Sequence, residues 1–474
     1  MKLPKWPEPS SINRIYLGLE RILELLEKLG HPERKMPPVF HVAGTNGKGS
    51  VTAFLKCILE ENGYVVHRNI SPHLVRFNER IEIAGKEIDD EYYDELASEC
   101  KYTLEKYDLN ASYFEIIVAI AIMAFSRNGG DATIFEVGMG GRLDATNIIE
   151  HPLVSVITPI SLDHTKVLGD TVEKIAMEKI AIAKKGTPVV VSKQPASVVQ
   201  VMREAVKSLG SPLYNYGIDW KYTRHLSSSC SSPSLSSSRM RGSRETITTA
   251  WDPRDKPEDD RERDHCEFSG FGRNITTSLP SLEGNHQIIN AGTAIAALLC
   301  QNRLTVTDYS IQNGVQKAFW KARLQNLKGT KLYDLVDDGS ELYLDGGHNE
   351  GGARVLVDWL EEKNAKEKRD NILIICMLKK KDTKAFIKEI GSRFRERIVI
   401  SNKNEDYKEA DEFIKEFEEI GLDVYGSCEN IESALKMTRN IHSINKKRIL
   451  VCGSLYFCGE VLSLIEGFLV TKSV

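Results

Sequence analysis

The chain has 474 residues, of which 41% are hydrophobic and 27% charged, and its formal net charge is −4. That is the composition of a soluble, enzyme-like chain of two or three domains. Lacking a basic footprint, it excludes nucleic acid as an expected partner. The N-terminus MKLPKWPEPSS has no apolar core of signal-peptide length, and the longest near-apolar run, Phe114–Phe125, is too short to span a bilayer and carries Glu115. Nine cysteines without a C-x-x-C pair point to free thiols in a reducing compartment, so a cytoplasmic protein is expected.

Ser10 or Ser11 can cap a first helix whose apolar residues Ile12, Ile15, Leu19, Ile22 and Leu26 fall at helical spacing, ended by Gly30 and Pro32. Val39, Phe40, Val42 and Ala43 then read as a short buried strand. Gly44, Gly47 and Gly49 open a turn, and Lys48 and Ser50 stand at the entrance to a helix over Val51–Gly63. A strand, a glycine-rich turn and a helix N-terminus make a phosphate cradle, because backbone N–H groups, the helix dipole and the lysine all face the anion. The spacing G-x-x-G-K-G-S is tighter than the general G-x-x-x-x-G-K-[ST] motif, although its structural context is the one that motif requires. A plain glycine turn with an exposed lysine would leave three glycines in six residues unexplained.

Ser71–Ile88 reads as a loop and a short alternating strand, Phe114–Phe125 as a buried helix, and Asp131–Gly138 as a buried strand carrying Glu136. Leu153–Thr158 is another strand, followed by Asp163 and His164, with a helix at Thr171–Lys184 and a strand at Pro188–Ser192. This alternation predicts a mostly parallel α/β sheet with helices on both faces. Polar residues just beyond the carboxyl ends of such strands are where ligands bind. Glu136 and His164 could join phosphate oxygens around a hard divalent cation, Mg2+ being the default with ATP. Taken singly, each could equally be a satisfied core residue.

The pattern breaks near Leu226, where a serine-dominated run (Ser227–Ser243) and a charged run (Trp251–Asp264) bury too little apolar surface to order themselves. Leu226–His265 is therefore read as a surface insertion; it also resembles the in-frame translated repetitive elements of some intracellular bacteria. Its acidic residues argue against an RNA-binding serine/arginine tail. Order resumes with an alanine-rich helix at Gly284–Leu299, and a second α/β pattern begins at about Trp320. Its strands are expected at 341–345, 371–377, 397–401, 422–425 and 448–454, with helices at 350–362, 383–395, 408–419, 431–442 and 456–470. The fold class is thus α/β, with a P-loop ATPase-like domain over 1–319, interrupted at 226–265, and a Rossmann-like domain over 320–474 that lacks G-x-G-x-x-G.

The motifs HVAGTNGKGS (41–50), SPHLVRFNERI (71–81), SYFE (112–115), FEVGMGGRLDATN (135–147), TPISLDHTKVLG (158–169), MEKIAI (177–182), GNHQIINA (284–291), LDGGHN (344–349) and VCGS (451–454) carry a resemblance. On them the chain resembles the dihydrofolate synthase/folylpolyglutamate synthase family of Mur ligases, from about residue 11 to 465. The two domains would then be a Mur ligase central domain and a Mur ligase C-terminal domain. The resemblance implies ATP-dependent joining of L-glutamate to dihydropteroate or a folate through an acyl phosphate, with ATP and Mg2+, and a monovalent cation such as K+ as an optional addition. Carried over by position, Gly47, Lys48, Gly49 and Ser50 hold ATP phosphates, and Asn290, Arg323 and Asp345 make further ATP contacts. Ser71, Glu136 and His164 match the metal ligands. Lys179 matches a lysine carried as a carbamate, and His348 a residue beside the transferred phosphoryl group. Ser112, Tyr113, Phe114 and Glu115, with Leu143, Asp144 and Ala145, match the pterin-binding segments, where an aromatic ring could stack and a carboxylate accept pterin N–H groups.

There are departures. W-K-A-R-L-Q stands where the family usually has W-P-G-R-[LF]-Q, which implies a less tightly turned linker. Ser112 replaces the usual threonine, Glu350 a proline, and MEKIAI lacks a glycine. A ligase of cell-wall precursors would need a sugar-nucleotide domain ahead of the phosphate loop, where only about forty residues stand. A catalytically decayed chain of the same fold is the other alternative. Retention of Lys48, Glu136, His164, Lys179 and Arg323 together argues against it. The family also implies a monomer.

Overall fold

The computed structural model describes residues 6–7, 18–226, 264–402 and 404–467. Its first sheet is built from β1 (Val39–Ala43), β2 (Val66–Asn69), β3 (Ile81–Ile83), β4 (Lys86–Glu87), β5 (Ala132–Glu136), β6 (Val154–Ile157), β7 (Val189–Val191) and β8 (Leu213–Asn215). They lie in the order β4-β3-β2-β5-β1-β6-β7-β8. Strand β1 is buried at every position and pairs in parallel with β5 and β6. That is why its sequence, VFHVA, does not alternate: a strand covered on both faces has no solvent side. The covering helices are α1 (Glu20–Lys28), α2 (Lys48–Glu61), α3 (Asp90–Tyr107), α4 (Tyr113–Arg127), α5 (Thr165–Leu168), α6 (Val172–Ile180) and α7 (Ala196–Lys207). Helix α4 is apolar nearly all round and sits in a core with α1 and α3.

Ser10, Ser11, Ile12 and Ile15 lie outside the described residues, and the first described helix begins at Glu20. Most of the expected insertion, 227–263, also lies outside them. Its expected end at His265 is corrected, because that residue opens a strand. Strands β9 (Trp220–His225), β10 (His265–Gly270) and β11 (Arg273–Ser278) form an antiparallel sheet with β10 in the middle, His225 facing His265 across the first pair. Trp220, Tyr222, Cys266, Phe268 and Ile275 turn one face of it onto α8 (Asn285–Leu299), in a core shared with α2. Helix α9 (Asp308–Lys317) closes this core, with Gly314 against the backbone of Ile58.

The second sheet runs β12 (Gln325–Asn326), β13 (Glu341–Leu344), β17 (Lys447–Cys452), β14 (Asp370–Ile375), β15 (Glu396–Ile400), β16 (Gly426–Cys428), parallel except for the edge strand β12. Its helices are α10 (Glu350–Lys366), α11 (Thr383–Ile390), α12 (Ala410–Glu419), α13 (Ile431–Asn440) and α14 (Leu455–Glu466). The strand expected at 422–425 is displaced. Leu422 and Val424 pack with the apolar faces of neighbouring elements, and pairing with β15 begins only at Gly426.

Candidate active site

The turn between β1 and α2 is shaped by what its glycines admit. Gly47 precedes α2 with φ at +85°, a left-handed conformation, and a Cβ there would lie 2.6 Å from Asn290 Oδ1. A Cβ on Gly49 would lie 2.6 Å from the Trp320 ring. Absent side chains thus let α8 and the entrance to the second sheet close on the loop. Lys48 Nζ folds back to donate to the carbonyls of Gly44 (3.1 Å) and Thr45 (3.4 Å). Ser50 Oγ is buried with no hydrogen-bond partner among the described residues.

Ser71, Glu136 and His164 face the same cavity, of ≈ 340 Å³, together with Lys48, Ser50, Lys179, Arg323 and Asp345. Glu136 ends β5. Burial pushes its carboxyl up to about 7, against the charges of Lys48, Arg323 and Arg68 and a backbone N–H from Ser71. Ser71 Oγ is buried without a partner among the described residues. Burial and the charge of Lys381 push the His164 imidazole down to about 4, leaving it neutral on a side chain 43% exposed. Two orphaned hydroxyls, an acid raised by burial and a neutral imidazole fit a hard cation. Among the described residues no group of three or more His, Cys, Asp or Glu could hold a metal. Phosphate oxygens and water would have to complete the shell, which suits Mg2+. Lys179, in the last turn of α6, is 5% exposed, and burial with the nearby Lys48 charge pushes its amine down to about 7.

The second sheet brings its own groups. Arg323 sits between two left-handed non-glycine residues, Ala322 (φ 53°) and Leu324 (φ 45°). The linker thus turns sharply at Arg323, with Ala322 in a conformation that glycine adopts freely, at a cost of about 1 kcal/mol. Asp345 Oδ2 accepts from Leu324 N (2.8 Å) and its Oδ1 from Gly347 N (2.7 Å), so this carboxylate holds the arginine-bearing turn. His348 Nδ1 lies 2.8 Å from the Gly346 carbonyl oxygen, and its Nε2 3.4 Å from Asp163 Oδ2.

Asp163 is the centre of a network that sequence reasoning noticed only as a neighbour of His164. Lys381 Nζ lies 2.7 Å from its Oδ1, with both side chains 11% exposed. Asn349 Nδ2 donates to its Oδ2 at 3.3 Å. Burial alone would raise this carboxyl, but His348 and Lys381 hold it far below the usual range. Asn46 and Asn349 exchange amide hydrogen bonds at 3.2 and 3.1 Å. Asn46, Asn349 and Lys381 were not singled out. The first two stand inside recognised motifs, but nothing in one sequence says that they face each other.

A second cavity, of ≈ 350 Å³, is lined by all of Ser112, Tyr113, Phe114, Glu115, Leu143, Asp144 and Ala145, and shares Ser71, His164 and His348 with the first. The carboxylates on its wall are engaged. Ser112 N donates to Glu115 Oε2 (2.6 Å), and Arg21 donates to both Glu115 oxygens at 3.1 Å. Asp144 accepts from Thr146 N (3.0 Å), Thr146 Oγ1 (2.6 Å) and Met139 N (2.9 Å). The free acceptor expected here for pterin N–H groups is therefore largely taken up by the local fold. The Phe114 ring packs on Gly138, where a Cβ would lie 2.6 Å away, and offers the expected aromatic surface.

Residues 42–298 match the model of the Mur ligase middle domain, and 328–464 that of the dihydrofolate synthetase C-terminal domain. The dihydrofolate synthase/folylpolyglutamate synthase of Bacillus subtilis is 31% identical over 452 residues, 94% of each chain, and the dihydrofolate synthetase of Saccharomyces cerevisiae 28% identical over 96% of this chain and 99% of its own. Among solved structures, E. coli FolC in complex with DHPP and ADP is similar at a TM-score of 0.75 with 28% identity, covering 96% of this chain and 94% of that one. A bifunctional folylpolyglutamate synthase/dihydrofolate synthase with Mn, AMPPNP and L-glutamate bound gives the same TM-score at 27% identity, covering 96% and 95%. Two cavities that meet at a metal-fitting centre between two α/β sheets thus sit in a sequence matched along nearly its whole length, and the chain belongs to the dihydrofolate synthase/folylpolyglutamate synthase family of Mur ligases.

Proposed function

We propose that the chain is an ATP-dependent ligase that joins L-glutamate to dihydropteroate, to folates, or to both. The observation that carries this reading is the meeting of the two cavities at Ser71, His164 and His348. One cavity is built for phosphates and the other for a flat aromatic body, so a carboxylate at the end of that body reaches the phosphoryl group. A carboxylate is a poor acylating agent. Its oxygen attacks the γ-phosphorus of ATP, ADP leaves, the glutamate amine attacks the acyl carbon, and phosphate departs. Such transfers need positioning and charge neutralisation more than covalent help.

Gly47, Lys48, Gly49 and Ser50 would hold the phosphates, with Lys48 exchanging its two carbonyl partners for phosphate oxygens. Arg323 would bridge phosphates bidentately, which lysine could not copy. Asn290 would border the nucleotide, and Asp345 would act by holding the Arg323 turn. Ser71, Glu136 and His164 would hold Mg2+, which when bound neutralises charge on the transferring group. Lys179, as a carbamate, would add a negative charge to that centre. His348 would line the transfer path. Ser112–Glu115 and Leu143–Ala145 would wall the pterin pocket. The two working domains are taken as 1–319 and 320–474. No described helix is long and apolar enough to cross a membrane. A cytoplasmic location is the accompanying reading, supported by free thiols at the eight described cysteines, and a monomer is what the family resemblance implies. Relatives named as synthases across the full length favour this activity over a decayed chain.

The test is ADP release from ATP and glutamate with dihydropteroate or tetrahydrofolate as acceptor. Acceptor-stimulated release is expected with at least one, reduced about 10²-fold or more in Lys48→Ala. No stimulation by either would sink the ligase reading, and full activity in Lys48→Ala would sink the phosphate-loop assignment.

A further inference from the structure

Three consecutive lysines, Lys379, Lys380 and Lys381, follow β14, and two of them are spoken for. Lys381 is paired with Asp163 at 2.7 Å, and Lys379 faces Glu409 at 3.7 Å. Lys380 is exposed, lines the second cavity but not the first, and among the described residues has no carboxylate within ion-pair distance. Its Nζ stands 6.0 Å from the centroid of the Tyr456 ring, which lines the same cavity. The carboxylates of that wall are already engaged, Glu115 by Arg21 and Asp144 by backbone and hydroxyl donors. Of the other cations lining the cavity, Lys381 is paired with Asp163 and the buried Arg80 donates to His73 Nδ1 at 2.8 Å.

An exposed cation without an ion-pair partner, at the edge of a pocket whose carboxylates are already engaged, attracts an anion on the ligand. Dihydropteroate has a single carboxylate, which is consumed in the reaction at the junction of the cavities. A folate that already bears a glutamyl unit reacts through its side-chain carboxylate and keeps a second one, on the α-carbon, a few bonds away. We infer that Lys380, steadied by the Tyr456 ring, binds the α-carboxylate of the terminal glutamyl unit of the folate substrate and so distinguishes chain extension from addition of the first glutamate. The inference rests on the ligase reading. Free L-glutamate carries the same α-carboxylate, but its amine must reach the acyl carbon from beyond the junction, whereas Lys380 borders only the pocket that takes the body of the acceptor.

Steady-state constants for Lys380→Ala, Lys380→Glu and Lys380→Arg, with either acceptor, test this. Lys380→Ala should raise the KM for tetrahydrofolate about 5- to 10-fold with kcat held, as befits one solvent-exposed charge-assisted contact. Lys380→Glu should raise it further, and Lys380→Arg should restore it. The KM for dihydropteroate, and the KM for glutamate measured with dihydropteroate, should stay within twofold of the parent. A rise in the glutamate KM instead would assign the contact to the incoming amino acid and overturn the proposal. So would equal effects on both acceptors, or a parent enzyme that glutamylates dihydropteroate but neither binds nor extends tetrahydrofolate. Silence with both acceptors in the parent would instead be the failure of the ligase reading.

Discussion

At the scale of single residues, Lys179 is held far from what its side chain does in water. A lysine amine ordinarily titrates near 10.4, whereas burial and the charge of Lys48 push this one down to about 7. Only a neutral amine adds CO2, so the shift makes carbamate formation feasible at neutral pH, and the product turns a potential cation into an anion. Above pH 7 the amine is mostly free to react, and below it protonation competes and the carbamate is lost. With 13C-labelled bicarbonate, a carbamate resonance should be present at pH 8, nearly gone at pH 6, and absent in Lys179→Ala, whose activity should fall about 10²-fold. A resonance that persists in Lys179→Ala, or none in the parent at pH 8, would remove the assignment. Lys48, Glu136 and His164 stand out in the sequence because they end or follow buried strands, where ligands bind, whereas Arg323 enters only through the resemblance. The partners that hold them are not legible: that Asp345 accepts from Leu324 N and Gly347 N, and so fixes the Arg323 turn, appears only in the structure.

At the scale of elements, buried runs such as VFHVA and NILII announce parallel strands because polar and apolar residues do not alternate along them. In the sheet of β9, β10 and β11, the pairing of β9 with β10 escapes a sequence reading because the two strands stand on either side of 227–263, although β10 and β11 are joined by a two-residue Phe271-Gly272 turn that is a short-range hairpin signal. That sheet is part of the fold. Trp220, Tyr222 and Phe268 are buried with α8, and Arg224 reaches both Asp264 and Glu362, at 2.6 Å each. Replacing 227–263 by a two-residue Asn-Gly turn should therefore leave expression and ligase activity within about twofold. Extending the deletion through Gly270 removes the central strand and should give insoluble protein. Comparing soluble yield and ADP release for the two deletions decides it, and loss of soluble protein in the shorter one would make the insertion structural.

The two sheets form a working molecule only while they face each other, and the contacts between them include a polar set beside the burial of Val75 in the core of the second sheet. Asp163 meets Lys381 and His348, Asn46 meets Asn349, and Lys321 lies 3.5 Å from Glu79. One contact is steric: Gly459, in the middle of α14, packs so closely on the loop after Ser71 that a Cβ would lie 2.0 Å from the Leu74 carbonyl oxygen. Two backbones cannot yield to a methyl group as a long side chain would, so Gly459→Ala should hold the second sheet off the first, lifting Val75 from the α14 core while leaving the strands of both sheets paired. The phosphate loop lies wholly on the first sheet, and Arg323, Asp345 and His348 on the second. Nucleotide affinity should consequently fall only severalfold while kcat falls tenfold or more, because transfer needs both halves at once. Asp163→Asn, which leaves the Lys381 ammonium facing a neutral amide, should act in the same direction with less effect on shape. Small-angle scattering on Gly459→Ala should show a larger radius of gyration and circular dichroism an unchanged secondary structure. If scattering and kcat both match the parent, the close approach of α14 is not what keeps the cleft shut. If nucleotide affinity and kcat fall together by the same factor, the site is assembled on the first sheet alone, and the polar bridge from Asp163 is packing rather than alignment.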